Sequence, residues 1–453
     1  MRNRVPTSDS EQTNGSADSV LSRLFSVPPA LRYPQYRAYW FGTLASVCGF
    51  QMLMFAQGWL TFELTGSPLY LGYVAVASAL PSIALNLFGG VFADKLDKRK
   101  LIFYTQLLTA ALIFTLAFLT LFELVRVEHI IALAFAAGAV NAFDQPARQA
   151  LYPHLIDRRV IMSAVALNSA IWQGTRIVAP AVAGTIIGLI GTATAIFVAG
   201  AGFVVMAIVI LMLRVPRIES TSTGSAMGDL WEGLRFIAGS SIFSFLIAMT
   251  FFNSFFGMAY ITMMPAFAVD VLKVGADGQG LLMTIGGVGA LAVTMLLSSA
   301  GDFHRKGLLI IGGGVAFGLA IVAFALTSRF VGSFPLALAL MFVMGTSSST
   351  YMISIMSSLQ LLVPDRMRGR VMGFYGMTWS IMPLGGMQAG AIAAFVGVPV
   401  AVAIGGALVS VFALGPALIN RQVRNIGSIL MQSQQEAQAH QSDAQRMRAA
   451  SGS

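Results

Sequence analysis

Long apolar runs, separated by short clusters of charge, proline and glycine, recur from about Ala38 to Ile419. At roughly 20 residues per bilayer crossing they predict membrane helices rather than strands. Six fall near 38–64, 69–93, 101–122, 130–150, 161–190 and 192–213, and six more near 242–269, 278–300, 308–327, 334–362, 371–395 and 398–419. The expected fold is therefore an all-α membrane protein with twelve transmembrane helices in two six-helix bundles.

The polar stretch 214–241 divides the spans evenly. Within it, 227–236 carries Leu230, Trp231 and Leu234 on one flank. That pattern reads as a short interfacial helix or as an extension of the next span. The expected organisation is an N-terminal tail 1–37, a bundle 38–213, a linker 214–241, a second bundle 242–420 and a polar tail 421–453. An internal repeat supports the division. At an offset of 211, Gln149, Leu151, Pro153, Arg159 and Val160 recur as Gln360, Leu362, Pro364, Arg370 and Val371, each set joining the fourth and fifth spans of its half. Parallel duplication of this kind makes the halves pseudo-symmetric and places a binding site between them near the midplane.

Composition narrows the class. Of 453 residues, 56% are hydrophobic and 10% charged, which excludes a soluble domain. No apolar stretch precedes Ala38, so the start reads as a tail rather than a cleaved leader. The single cysteine, Cys48, permits no intramolecular disulfide, and none of the four histidines sits mid-span where a haem would need it. No lysine lies in a G-x-x-x-x-G-K-[ST] loop, so the chain has no ATP-binding loop of that kind. Neither a cofactor nor a metal is expected.

Charge sets orientation. With both tails on one side, 24 Lys/Arg lie in the segments of that side and only Arg126, Lys273 and Arg329 in the six opposite loops. The basic side is read as cytoplasmic. Topology thus accounts for the net charge of +9 without a nucleic-acid partner.

Several motifs then carry a resemblance. Gly90-Val-Phe-Ala-Asp94-Lys95-Leu-Asp97-Lys98-Arg99 resembles the signature between the second and third helices of the major facilitator superfamily, with Asp97 where the signature has its second glycine. Leu31-Arg-Tyr-Pro-Gln-Tyr-Arg37, Glu63-Leu-Thr-Gly-Ser-Pro68, Asn141-Ala-Phe-Asp-Gln-Pro-Ala-Arg-Gln149 and Pro364-Asp-Arg-Met-Arg-Gly-Arg370 are similar to the enterobactin exporter and macrolide efflux branch. Gly174-Thr-Arg-Ile-Val-Ala179-Pro180, continuing to Gly184, is similar to the glycine-proline motif of proton antiporters, with alanines replacing two glycines.

The resemblance implies a secondary transporter of the cytoplasmic (inner) membrane, monomeric, with a small-molecule substrate, protons as driving ion and the bilayer as its surroundings. It implies that Gly90, Asp94, Lys95, Asp97, Lys98, Arg99 and Arg148 belong to a conformational gate, and the repeat at an offset of 211 extends that expectation to Arg366 and Arg370. It also implies that helices three, six, nine and twelve are peripheral, and polar residues avoid them except for Gln106. The candidates for the substrate cavity or coupling are Gln51, Gln57, Asn141, Asp144, Asn168, Gln173, Arg176, Asn253 and Gln388. Each of these is also explained as glue between helices.

Arg176 stands apart, deep in the fifth span. Unpaired there, an arginine costs at least ~2.5 kcal/mol, so a partner is expected. Asp144 is the preferred carboxylate and Glu63 the other one near enough in depth, with direct binding of an anionic substrate group as the alternative.

The aromatic seventh span (Phe251, Phe252, Phe255, Phe256, Tyr260), with Met344 and Met352 of the tenth, suits export of amphiphilic molecules of drug, macrolide or siderophore type. Uptake of a small polar or anionic solute is the competing function. A non-transporting membrane enzyme lacks its constellation, because no His, Asp or Glu stands beside the mid-span serines. An assembly factor leaves the amide distribution unexplained.

Overall fold

Short punctuation, not hydrophobicity, sets where each helix stops. In the computed structural model, residues 28–213, 226–299, 306–419 and Ser428 are described. Helix α1 (Pro34–Thr65) ends where Gly66 turns left-handed, φ +59°, and Pro68 opens α2 (Pro68–Lys95). Asp97 accepts from the amides of Arg99 and Lys100 at 3.0 and 3.3 Å and so caps α3 (Lys98–Leu121). The residue that departs from the motif is thus the one that starts the next helix. Then follow α4 (Val127–Leu151), α5 (Ile161–Leu189) and α6 (Thr192–Met212).

A linker helix, Ala226–Ala238, precedes the second half. That half comprises α7 (Ser241–Val271), α8 (Gly275–Ser299), α9 (Lys306–Phe330), α10 (Phe334–Leu362), α11 in two pieces (Asp365–Trp379 and Met382–Val396) and α12 (Val398–Ile419). Eleven of these twelve are long and apolar enough to cross a membrane on composition alone. The twelfth, α5, has 29 residues and so is about 43 Å long, but it carries Asn168, Gln173 and Arg176. Its polarity, not its length, sets it apart.

Within the first half α1 packs on α6, α2 on α4, and α3 on both α4 and α6; in the second, α7 packs on α12, α8 on α10, and α9 on both α10 and α12. Shifting each first-half label by six reproduces these second-half pairs. The two large contacts between halves, α5 with α8 and α2 with α11, exchange with each other under the same shift. That is the pseudo-twofold relation a duplicated bundle must have.

The seventh span is not the continuous helix its apolar run predicts. The Met258 amide donates to the Asn253 carbonyl and that of Leu272 to Phe267, both at 2.8 Å and five residues back, so two π-turns interrupt α7. They turn Asn253 and Ser254 fully inward, and a Cβ on Gly257 would lie 2.6 Å from Asn253 Oδ1.

Candidate functional site

The halves meet at one end only among the described contacts. Near the charge-poor end, Thr284 of α8 donates to the Ile177 carbonyl of α5 at 2.9 Å. A Cβ on Gly280 would come within 2.5 Å of the Pro180 carbonyl oxygen, and one on Gly184 would collide with the Ala276 carbonyl. The motif at 174–184 therefore forms a backbone seam whose close approach only glycine allows. On the other side, a Cβ on Gly390 of α11 would lie 2.5 Å from the Pro68 carbonyl of α2. The α2 contact with α11 is carried by Met382–Val396, and the α7 contacts with α1 and α2 by Ala259–Ala266, all toward the charge-poor end. Toward the basic end, past Ile177, Val165, Ser169, Gln173 and Gly174 of α5 are exposed. The space between the halves opens to the basic end and narrows to a vertex near Ile177.

Arg176 sits at that vertex. It is exposed, among the described residues it makes neither an ion pair nor a hydrogen bond, and it shares a stripe with Gln173 and Ser169 at helical spacing. Tyr260 of α7, in the other half, is within electrostatic reach of its guanidinium. The expected partner, Asp144, is engaged elsewhere. Its Oδ2 lies 2.7 Å from Arg148 Nε, and its Oδ1 accepts from Thr105 at 2.7 Å and Gln106 at 2.9 Å. One turn separates Asp144 from Arg148 on α4 and their side chains meet, so the cation on its own helix takes it. Glu63, the other carboxylate considered, has Thr192 as its neighbour at 3.4 Å.

Around this buried pair lies a polar cleft of about 100 Å³ in the first half, lined among others by Tyr39, Ser46, Asn141, Gln145, Asn168 and Trp172. Ser46 accepts from Arg148 at 2.9 Å, and the Tyr39 hydroxyl donates to the Arg148 carbonyl at 3.3 Å. Asn141, Asp144, Arg148 and Asn168 are thus brought together; Gln173 and Arg176 face the opening between the halves. Gln57 and Asn253 are buried in their bundles, Asn253 against Met352 sulfur at 4.0 Å, and Met344 is wholly buried, so Met344 packs the core rather than lining a surface. Gln51 and Gln388 are half-buried, Gln388 beside the α2 contact. Thr105, Ser46 and Tyr39 are members of the cluster that spacing alone does not single out, and Gln106, the polar exception on α3, joins them.

The gate candidates divide. Arg99 donates to the Ile210 carbonyl at 2.9 Å and to that of Leu211, satisfying the free end of α6. Lys98 is buried beside it. Arg148 belongs to the buried pair and not to a loop. Arg370 and Arg366 lie 2.9 and 3.8 Å from Glu232 of the linker helix, which leaves Trp231 and Leu234 exposed. The side chains of Gly90, Asp94 and Lys95 fall outside the described residues, as do 1–27, 214–225 and 429–453. At the start of α1 the Tyr33 hydroxyl donates to Asp157 at 2.5 Å, a bond that raises the phenol above its ordinary value of 10.

The family described as transmembrane secretion effector matches residues 26–452. The multidrug efflux pump Tap of Mycolicibacterium fortuitum is 25% identical over 78% of this chain and 88% of its own length. Macrolide efflux protein A of Streptococcus pyogenes is 22% identical over 84% and 95%. The staphyloferrin A transporter of Staphylococcus aureus is 27% identical over 53% of the chain, which spans 60% of that relative. Among solved structures, nucleoside transporter NupG superposes with a TM-score of 0.67 at 15% identity, covering 84% of this chain and 98% of that one. A bacterial homologue of the iron transporter ferroportin, in an inward-facing state, gives 0.64 at 13% over 84% and 98%. With the twelve helices, the pseudo-twofold pairing and a match over nearly its whole length, the chain belongs to the transmembrane secretion effector family of major facilitator superfamily transporters.

Proposed function

We propose that this transporter exports amphiphilic small molecules across the cytoplasmic membrane by alternating access, driven by the proton gradient, with its basic end and both termini in the cytoplasm. The observation that carries the reading is the opening between the halves: it faces the basic end, is sealed by glycines at the other, and stops at the exposed Gln173 and Arg176. The positive-inside bias makes the open side cytoplasmic, which is where an exporter loads. The relatives that bear multidrug and macrolide efflux names support a substrate of that kind.

Proton coupling needs a carboxylate that changes partners. Asp144 as held here accepts two hydrogen bonds and lies against the Arg148 guanidinium, so a change of partner there has to begin by separating it from Arg148. Release of the bonds from Thr105 and Gln106, both on α3, would in turn free α4 from α3 and link the proton to a movement within the bundle. Uptake of an anionic solute is the competing reading, and the unpaired Arg176 is what favours it.

Cells overexpressing the chain should accumulate less ethidium and less labelled erythromycin than controls, and a protonophore should abolish the difference. Greater accumulation than in controls would mean uptake.

A further inference from the structure

The vertex of the opening has chemistry that "amphiphilic" leaves unspecified. Arg176 is one residue before Ile177, whose carbonyl holds Thr284 of the other half, so it lies where the two halves part. Its guanidinium is without a partner among the described residues, and the nearest carboxylate in depth, Asp144, is bound by Arg148. Tyr260 of α7, in the other half, is within electrostatic reach of Arg176, and packed behind it are the wholly buried Phe317 and Tyr351, successive ring centroids 6.5 and 5.9 Å apart. One half therefore contributes a fixed cation and the other a phenol held by buried rings.

Resting on the transporter reading, we propose that Arg176 and Tyr260 form a two-sided anion site and that the preferred substrates are aryl or aliphatic amphiphiles carrying a carboxylate or an equally compact anionic group. Arginine presents five donors in a planar fork that matches a carboxylate and stays charged at any working pH. The phenol hydroxyl supplies a third donor from the opposite half. An anion held by both halves is stabilised most when they approach at that level, so loading favours closure of the basic end; a ligand shifts an equilibrium only through such differential contact. A neutral amphiphile forgoes the charge-assisted contact with Arg176.

The test is equilibrium binding to the full chain in lipid nanodiscs by calorimetry, with empty nanodiscs subtracted, using naproxen and its primary amide as a matched anionic and neutral pair. The wild type should prefer the acid by at least about tenfold, near the lower end of a charge-assisted hydrogen bond. Arg176→Gln should bring the preference below about twofold while the amide binds unchanged, which shows an intact fold. Arg176→Lys should retain part of the preference, and Tyr260→Phe should lower it. No preference in the wild type, a preserved preference in Arg176→Gln, or equal loss of both compounds overturns the site. Selective binding of the acid without movement across vesicles would overturn the export reading alone. Export of neutral amphiphiles with no acid preference would overturn the anion site alone.

Discussion

Asp144 and Arg148 lie one turn apart on α4, both buried, so neither charge can be removed without stranding the other. Breaking a buried pair from one side costs about 3–5 kcal/mol, whereas replacing both members with apolar groups costs less and can be neutral. Asp144→Asn should therefore lower the unfolding midpoint of the purified protein more than Asp144→Leu combined with Arg148→Met. A single variant as stable as the wild type would remove the pair from the fold's support. At this scale the sequence located the polar residues but not their partners. Asp144 was expected to serve Arg176 because depth and helix adjacency were the available measures; the competing i, i+4 cation on its own helix decides otherwise. Gln106 was set apart as a lone amide on a peripheral helix, yet its side chain reaches inward to Asp144. Helical periodicity gives a residue its face and not the neighbour that meets it.

Among the elements, the α5–α8 seam between the halves has little freedom. Gly280 and Gly184 face backbone carbonyls of the opposing helix, and side chains there must push two helices apart rather than displace a flexible group. Gly280→Val should cost about 1–3 kcal/mol through overpacking and reduce transport while leaving membrane levels normal. Wild-type transport in that variant would mean that the seam is not a seal. The positions of the helices were legible because bilayer thickness dictates run length; 334–362 and 398–419 agree with the helices at both ends, and most others to within about three residues. Two features were not. The π-turns of α7 change one hydrogen-bond step without changing hydrophobicity, and the break at Ser380 and Ile381 in α11 falls inside an apolar run. Asp97 carried a local signal, an Asp directly before a helix, and the cap is where that signal places it.

For the whole molecule, duplication and charge asymmetry act together. The shift by six helices that maps one set of helix contacts onto the other makes two equivalent half-molecules, and two equivalent bundles joined at one end can rock to close the other. The glycine seam marks the end closed here, and the lysines and arginines mark the open end as the basic one. The measurement closest to this account is flux into everted membrane vesicles, whose cytoplasmic face is outward, with an imposed acid interior and no ATP. Export by proton exchange predicts that the vesicles accumulate ethidium or labelled naproxen beyond the level in vesicles lacking the chain, and that nigericin, by dissipating the pH difference, abolishes the excess. Accumulation only in right-side-out vesicles, or none in either orientation for any amphiphile tried, would contradict it.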